Sequence, residues 1–170
     1  MNVAILDGCI FIDIFCLEII PKAFEIGYEF HTSLDVFNGL NQNQKDAYYP
    51  YQTSGRLVLH TITESDRKGI KSLNYPAAIS NSDMTVLFLA NKFDAIILSG
   101  SKVIINYNLK KDLKCHGILW IFDTLIDRVL LSPDEAVHKL EKFSKINPHH
   151  CNYKELASGI SKRIAHWKGI

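Results

Sequence analysis

Two acids in this chain have the setting for divalent-cation chemistry. Asp7 follows the apolar run Val3-Ala-Ile-Leu6, and Asp83 lies in Ser80-Asn-Ser-Asp83, just before Met84-Thr-Val-Leu-Phe-Leu-Ala90. The first run has the composition of a strand buried on both faces. The second opens a helix with Ser80 as its N-cap. The strand Ala95-Ile-Ile-Leu98 and the turn Ser99-Gly-Ser-Lys102 come next. These pieces bring both carboxylates toward one edge of an α/β sheet, where such folds do chemistry. Carboxylates there can hold Mg²⁺ or Mn²⁺, which take hard oxygen ligands and polarise a phosphate. Each acid also has a structural explanation. Asp83 is three residues after Ser80, where an acid serves the cap and the helix dipole. Asp7 can accept backbone N–H bonds in the turn after its strand.

Other reactive side chains have less support. His149-His-Cys151 has the composition of a metal trio, but it lacks the second ligand pair of a zinc site. Cys9 and Cys115 stand in no motif for a nucleophile, and His116 and His138 read as surface residues. Neither GxGxxG nor GxxxxGK occurs. Lys102, Lys110, Lys111 and Lys114 can meet a phosphate backbone, or form a solvated helix face. Asp123 can sit on the rim of the same sheet edge or cap a helix. Trp120 reads as core, and Trp167 as a packing or interface residue. Tyr48-Tyr-Pro-Tyr51 can stack bases from a loop or pack locally.

Composition bounds the alternatives. The 170 residues make one domain, 1–170, able to bury about two-thirds of its unfolded surface. The net charge of +1 gives no strong global pull toward nucleic acid or membrane. Its distribution is uneven: residues 1–101 carry 7 basic and 11 acidic side chains, and residues 102–170 carry 12 and 7. The basic half is compatible with a phosphate-binding face. Four cysteines without a CxxC pair fit a reducing, cytoplasmic setting, with Cys9 and Cys16 as buried thiols on one helix face. The N-terminus has no basic region before its apolar run, unlike a signal peptide. No stretch reaches about 18 apolar residues, so no membrane span is expected.

The elements that must position these residues follow from periodicity and caps. Strands are expected at Val3–Leu6, Glu29–His31, Leu57–Ile62, Ala95–Leu98 and Gly117–Ile121. A helix over Ile10–Ile20 ends at Pro21. Thr32-Ser33 caps a short helix, Leu34–Leu40, with Asp35 in a capping box on Thr32. Residues 41–56 read as an exposed polar excursion. Helices follow over Ser65–Leu73, from Ser80, over Lys102–Leu113, over Asp123–Leu131 and from Ser132 to about Lys145, where Ser-Pro-Asp-Glu supplies cap, N1 and N3. Asn147-Pro-His-His-Cys151 is a loop, and an amphipathic helix over about 153–168 closes the chain, packed on the domain or at an interface. Alternation of strands and helices predicts a three-layer α/β/α fold with a central, mainly parallel sheet.

This order of elements resembles the PIN domain family, in particular its small prokaryotic members related to the nuclease toxins of toxin–antitoxin pairs. The resemblance rests on Ile5-Leu-Asp7, Thr32-Ser33 with Val36, Ser80-Asn-Ser-Asp83, Leu89-Ala90, Leu98-Ser-Gly100 with Lys102, and Gly117-Ile-Leu-Trp-Ile121. It spans roughly residues 3–146. It implies a metal-dependent ribonuclease with three or four acids at the carboxyl ends of the central strands. Asp7 matches the first acid and Asp83 the third. The second, normally a Glu one residue before a Leu, has Gly39 in its slot. The fourth, normally the Asp of Ser/Thr-Gly-Asp, is Ser101. A polar residue often follows the first acid by two positions; here it is Cys9.

Half of the implied acidic set is therefore missing. Asp7 and Asp83 can hold one Mg²⁺ or Mn²⁺ weakly, but two carboxylates are a poor match for two dications about 4 Å apart. Asp35, one turn before Gly39, is a candidate replacement or a first-turn acid. Three readings follow. The first is a PIN-like protein of RNA-related function with lost or weak nuclease activity, leaning away from an enzyme. The second is an active Mg²⁺- or Mn²⁺-dependent endoribonuclease of toxin type. The third is a protein-interaction module. An antitoxin-like protein and a second copy are the partners the resemblance implies.

Overall fold

The computed structural model describes residues 2–111, 113–146 and 154–169. Five strands form one all-parallel sheet: β1 (Asn2–Leu6), β2 (Tyr28–Ser33), β3 (Leu57–His60), β4 (Ile96–Leu98) and β5 (Cys115–His116), in the order β3-β2-β1-β4-β5. In register, Ile5 lies beside His31 and Ile97, and Leu98 beside His116. The fold is the expected α/β/α sandwich. The helices are α1 (Gly8–Cys16), α2 (Ile20–Ala23), α3 (Leu34–Asn38), α4 (Gln42–Thr53), α5 (Glu64–Ser72), α6 (Asn81–Phe93), α7 (Lys102–Lys111), α8 (Ile118–Asp127), α9 (Pro133–Ile146) and α10 (Lys154–Lys168). Among the described residues no helix is long and apolar enough to cross a membrane.

Adjacent strand residues point to opposite faces, which assigns the layers. Phe30 meets Phe24, which also meets Tyr48, and Tyr48 meets Phe11. That places α1, α2 and α4 on one face. His31 packs edge-on against Phe93 at the end of α6, on the other face. Ala4, Ile5 and Leu6 of β1 are fully buried, as a central strand covered on both sides must be. Each fully buried Ile or Phe contributes about 1.5–3 kcal/mol.

Several expected elements are corrected. Gly117–Ile121 is not a strand. Pairing stops at His116, Gly117 caps α8, and Ile118, Ile121, Phe122 and Leu125 are its buried stripe. A short apolar run fits strand and buried helix alike, and here the i, i+3, i+4, i+7 spacing decides. Trp120 is thus half-buried on a helix. Asp123 is no cap: it lies inside α8 and accepts a forked pair from Arg163 of α10 at 2.6–3.0 Å. Residues 41–56 are no exposed excursion. They form α4 behind an Asn41–Gln44 capping box. Tyr48 is fully buried and donates to the Phe11 carbonyl at 2.6 Å, while Tyr49 faces solvent. Pro21 does not end a long helix. It opens α2 after α1 has closed through a left-handed turn at Glu18 (φ 55). Strand β3 stops at His60, short of Ile62.

Caps at β2 also differ from expectation. Ser33, not Thr32, caps α3 by accepting from Val36 N–H at 3.1 Å. Thr32 instead donates to the Leu6 carbonyl at 2.8 Å, pinning β2 to β1. Asp35 makes no capping box there. Its two oxygens take the Arg67 guanidinium at 2.9 and 3.0 Å. Cys9 and Cys16 are half-buried rather than buried. The loop 147–151, with His149, His150 and Cys151, lies outside the described residues.

Candidate functional site

The chain runs from β1 outward to β2 and β3, then returns to β4 and β5 on the other side of β1. The strand order therefore reverses between β1 and β4, and parallel sheets open a crevice at the carboxyl ends of such strands. Asp7 stands at that point, after β1. Ser99 stands beside it, after β4.

Asp7 is tightly held. Its Oδ1 accepts from Ile10 N–H at 2.8 Å as the N-cap of α1. Its Oδ2 accepts a short bond from the Ser99 hydroxyl. Ser99 Oγ in turn accepts from Ser101 N–H at 3.0 Å. Only 1 % of Asp7 is exposed. Burial pushes its pKa up to about 6. The Ser99 and Ile10 bonds oppose the rise, and the nearby Asp83 charge adds to it. Asp83 is half-buried in the first turn of α6, where its N–H donates to Ser80 Oγ at 3.1 Å. The Asp83 charge acts on Asp7 through space, which puts the two acids in one region without a bond between them in the structure. The N3 position explains the placement of Asp83 without a ligand role.

The remaining positions singled out by the sequence lie nearby in different states. Ser101 accepts from Ile104 N–H at 3.4 Å at the start of α7, so its hydroxyl serves the helix end. Lys102 is the exposed first residue of α7. Gly39 closes α3 with φ −73 and ψ −14, a conformation open to any residue. A Cβ there would meet the Val36 carbonyl oxygen at 3.3 Å. Cys9 has its thiol pushed up to about 12 by burial and by the charges of Asp7, Asp13 and Asp83. A thiol so hard to ionise is a poor nucleophile.

The sequence reading missed three features. Asp13, in α1, is 1 % exposed, and burial followed by the Asp7 charge pushes its pKa up to about 8. Its signal was available: an acid inside Ile10-Phe-Ile-Asp-Ile-Phe15 cannot face water on an apolar helix. Ser33 and Thr85 bridge β2 to α6 at 2.6 Å. Thr85 spends its proton on the Ser82 carbonyl, so Ser33 is the donor. The third is a relay on the α6 face of the sheet. His31 Nε2 meets Glu29 at 2.9 Å, and His31 Nδ1 meets His60 Nε2 at 3.0 Å. A carboxylate only accepts, so His31 carries its proton on Nε2 and His60 donates to Nδ1.

Burial favours the protonated form of both Asp7 and Asp13. As a metal centre the site is sparse: among the described residues no three His, Cys, Asp or Glu side chains converge to hold an ion. Asp35, paired with Arg67, is not available as the missing ligand without breaking that pair. Compared with known proteins, the chain matches no family model and no curated protein, so the PIN resemblance rests on its own residues.

Proposed function

We propose that this is a PIN-like, cytoplasmic protein that keeps the crevice of an RNA nuclease and has lost most or all of its metal-dependent cleavage. One observation carries the reading. Each oxygen of Asp7 already accepts from a donor of the fold itself, Ile10 N–H or Ser99 O–H, which draws off part of the charge an ion would use. An ion at Asp7 would have to compete with them. Asp83 is the one other acid retained from the implied set, and Gly39 and Ser101 add no carboxylate. Two negative charges against about four positive ones leave a two-ion site unbalanced. Backbone contacts can still be made by Lys102, Lys110, Lys111 and Lys114, all exposed on or beside α7. The free thiols Cys9, Cys16 and Cys115 fit a reducing compartment.

The test is one experiment on the full chain with end-labelled single-stranded RNA and Mn²⁺ or Mg²⁺. The expected result is salt-dependent binding, weakened by Lys102→Glu, with no shortened product. Cleavage that disappears in Asp7→Asn would replace this reading with an active endoribonuclease of toxin type. Absence of both binding and cleavage would leave an interaction module, whose antitoxin-like partner or second copy is then sought by co-purification.

A further inference from the structure

A cleft of about 680 Å³ opens at the opposite, amino-terminal edge of the sheet. Its aromatic lining comes from Tyr28 at the start of β2, Phe93 at the end of α6, His116 of β5 and Trp120 of α8. The His116 ring lies on the Trp120 indole, 4.6 Å between centroids and 14° between planes. Tyr28 meets the same indole edge-on at 5.8 Å and 75°. Two ring partners therefore hold Trp120 in place before any ligand arrives. A platform ordered in advance costs little to use. Burial and the neighbouring Lys114 hold the His116 pKa below its ordinary value, which keeps the stack uncharged.

The polar lining narrows the ligand. Asn2 and Asn91 line the cleft, and a carboxamide can offer a donor and an acceptor side by side, as the edge of a purine does. Asp94 can accept from hydroxyls, and Lys114 can donate to an oxygen. One acid and one base leave the described lining without net charge, which disfavours a multiply charged ligand. The volume falls within the roughly 300–1,000 Å³ of small-molecule sites and suits one nucleoside, not a polymer.

We infer that this cleft binds the base and ribose of a purine nucleoside, with the base stacked on the Trp120–His116 wall. That chemistry can come from a free nucleoside, or from a mononucleotide or an RNA end whose phosphates lie outside the cleft. The inference is independent of the Asp7 crevice, which lies at the other edge.

The test uses the full ¹⁵N-labelled chain, whose two tryptophans, Trp120 and Trp167, give separate indole N–H signals. Adenosine added to about 5 mM is expected to move the Trp120 signal saturably and leave Trp167, on α10, in place. Trp120→Leu removes the indole reporter, so its binding is followed through the Asn91 side-chain amide signals, and it is expected to weaken binding about tenfold by removing the stack. Asn91→Ala leaves the aromatic wall intact and is also expected to weaken it, should Trp120→Leu fail to fold. AMP moving the same signal supports a free nucleotide. A short RNA that competes with adenosine supports an RNA end. No saturable shift with adenosine, AMP or RNA overturns the inference. So does benzoate moving Trp120 as strongly as adenosine, since benzoate has a ring and no base edge.

Discussion

The Ser99 hydroxyl donates to the Asp7 carboxylate across the junction of β4 and β1, the point where the strand order reverses. This bond ties the carboxyl ends of the two strands together, and it opposes the burial that raises the Asp7 pKa.

Ser99→Ala removes that donor. The Asp7 pKa is then expected to rise above about 6, by up to about one further unit, in a carboxyl-carbon NMR titration. The buried oxygen left without its partner costs about 1–3 kcal/mol of stability at pH 7, read from urea unfolding.

Gly39→Glu with Ser101→Asp returns acids to the two slots. The backbone at Gly39 admits a side chain if the Val36 carbonyl yields by a few tenths of an ångström. An Asp at 101 can still accept from Ile104 N–H. Mn²⁺ affinity by calorimetry is expected to rise at least about tenfold, because hard cations bind by the number of charged oxygens. An unchanged affinity would show that these slots do not face the crevice.

Asp13→Asn tests the cost of the missed acid. Its folded pKa, about 8, lies above the ordinary 3.8. The folded state therefore binds the extra proton, and this group's stabilisation is complete below pH about 4 and lost as pH rises through about 8. By pH 7 the loss reaches up to about 4 kcal/mol. The variant is expected to be more stable at pH 7 by roughly 2–4 kcal/mol and flatter between pH 6 and 8. Asp7 leaves a residual slope between about pH 4 and 6 in both proteins.

His60 titrates in the other direction. Burial, His31 and Lys92 lower its pKa below the ordinary 6.5. The unfolded chain then binds more protons, so stability is complete above pH 6.5 and is lost as pH falls below it. His60→Gln is expected to flatten this acid limb in thermal unfolding between pH 6.5 and 5. Gln can still donate to His31 Nδ1.

Val129 ends α8 in a left-handed conformation, φ 58, with its N–H on the Ile126 carbonyl and Leu130 N–H on Leu125. That turn favours glycine, and a β-branched residue there is strained. Val129 is 90 % exposed, so little packing is lost on its removal. Val129→Gly is expected to stabilise by about 1 kcal/mol, after the entropic cost of glycine, and to raise Tm by about 2–4 °C in calorimetry.

Local signals carried far in this chain. The run Val3–Leu6, the Ser80 cap with Asp83 at N3, and the Ser132-Pro-Asp-Glu start are where residue type and spacing put them, because each needs only neighbours within four residues. The failures have a common cause. Tyr48 reads as exposed until α4 folds back and its hydroxyl finds Phe11, 37 residues earlier. Asp35 reads as a cap until Arg67 is brought to it.

By itself, then, the sequence determined the alternation of strands and helices, the three-layer sandwich, and the acids Asp7 and Asp83 near helix starts. Periodicity and capping are short-range, and they are written in the residue order. Only the tertiary structure decided that Ser99 would bond Asp7, that the Asp7 charge would act on Asp13, and that His31 would join Glu29 to His60. Each of these depends on which strands become neighbours, and burial then sets the protonation of the groups so enclosed.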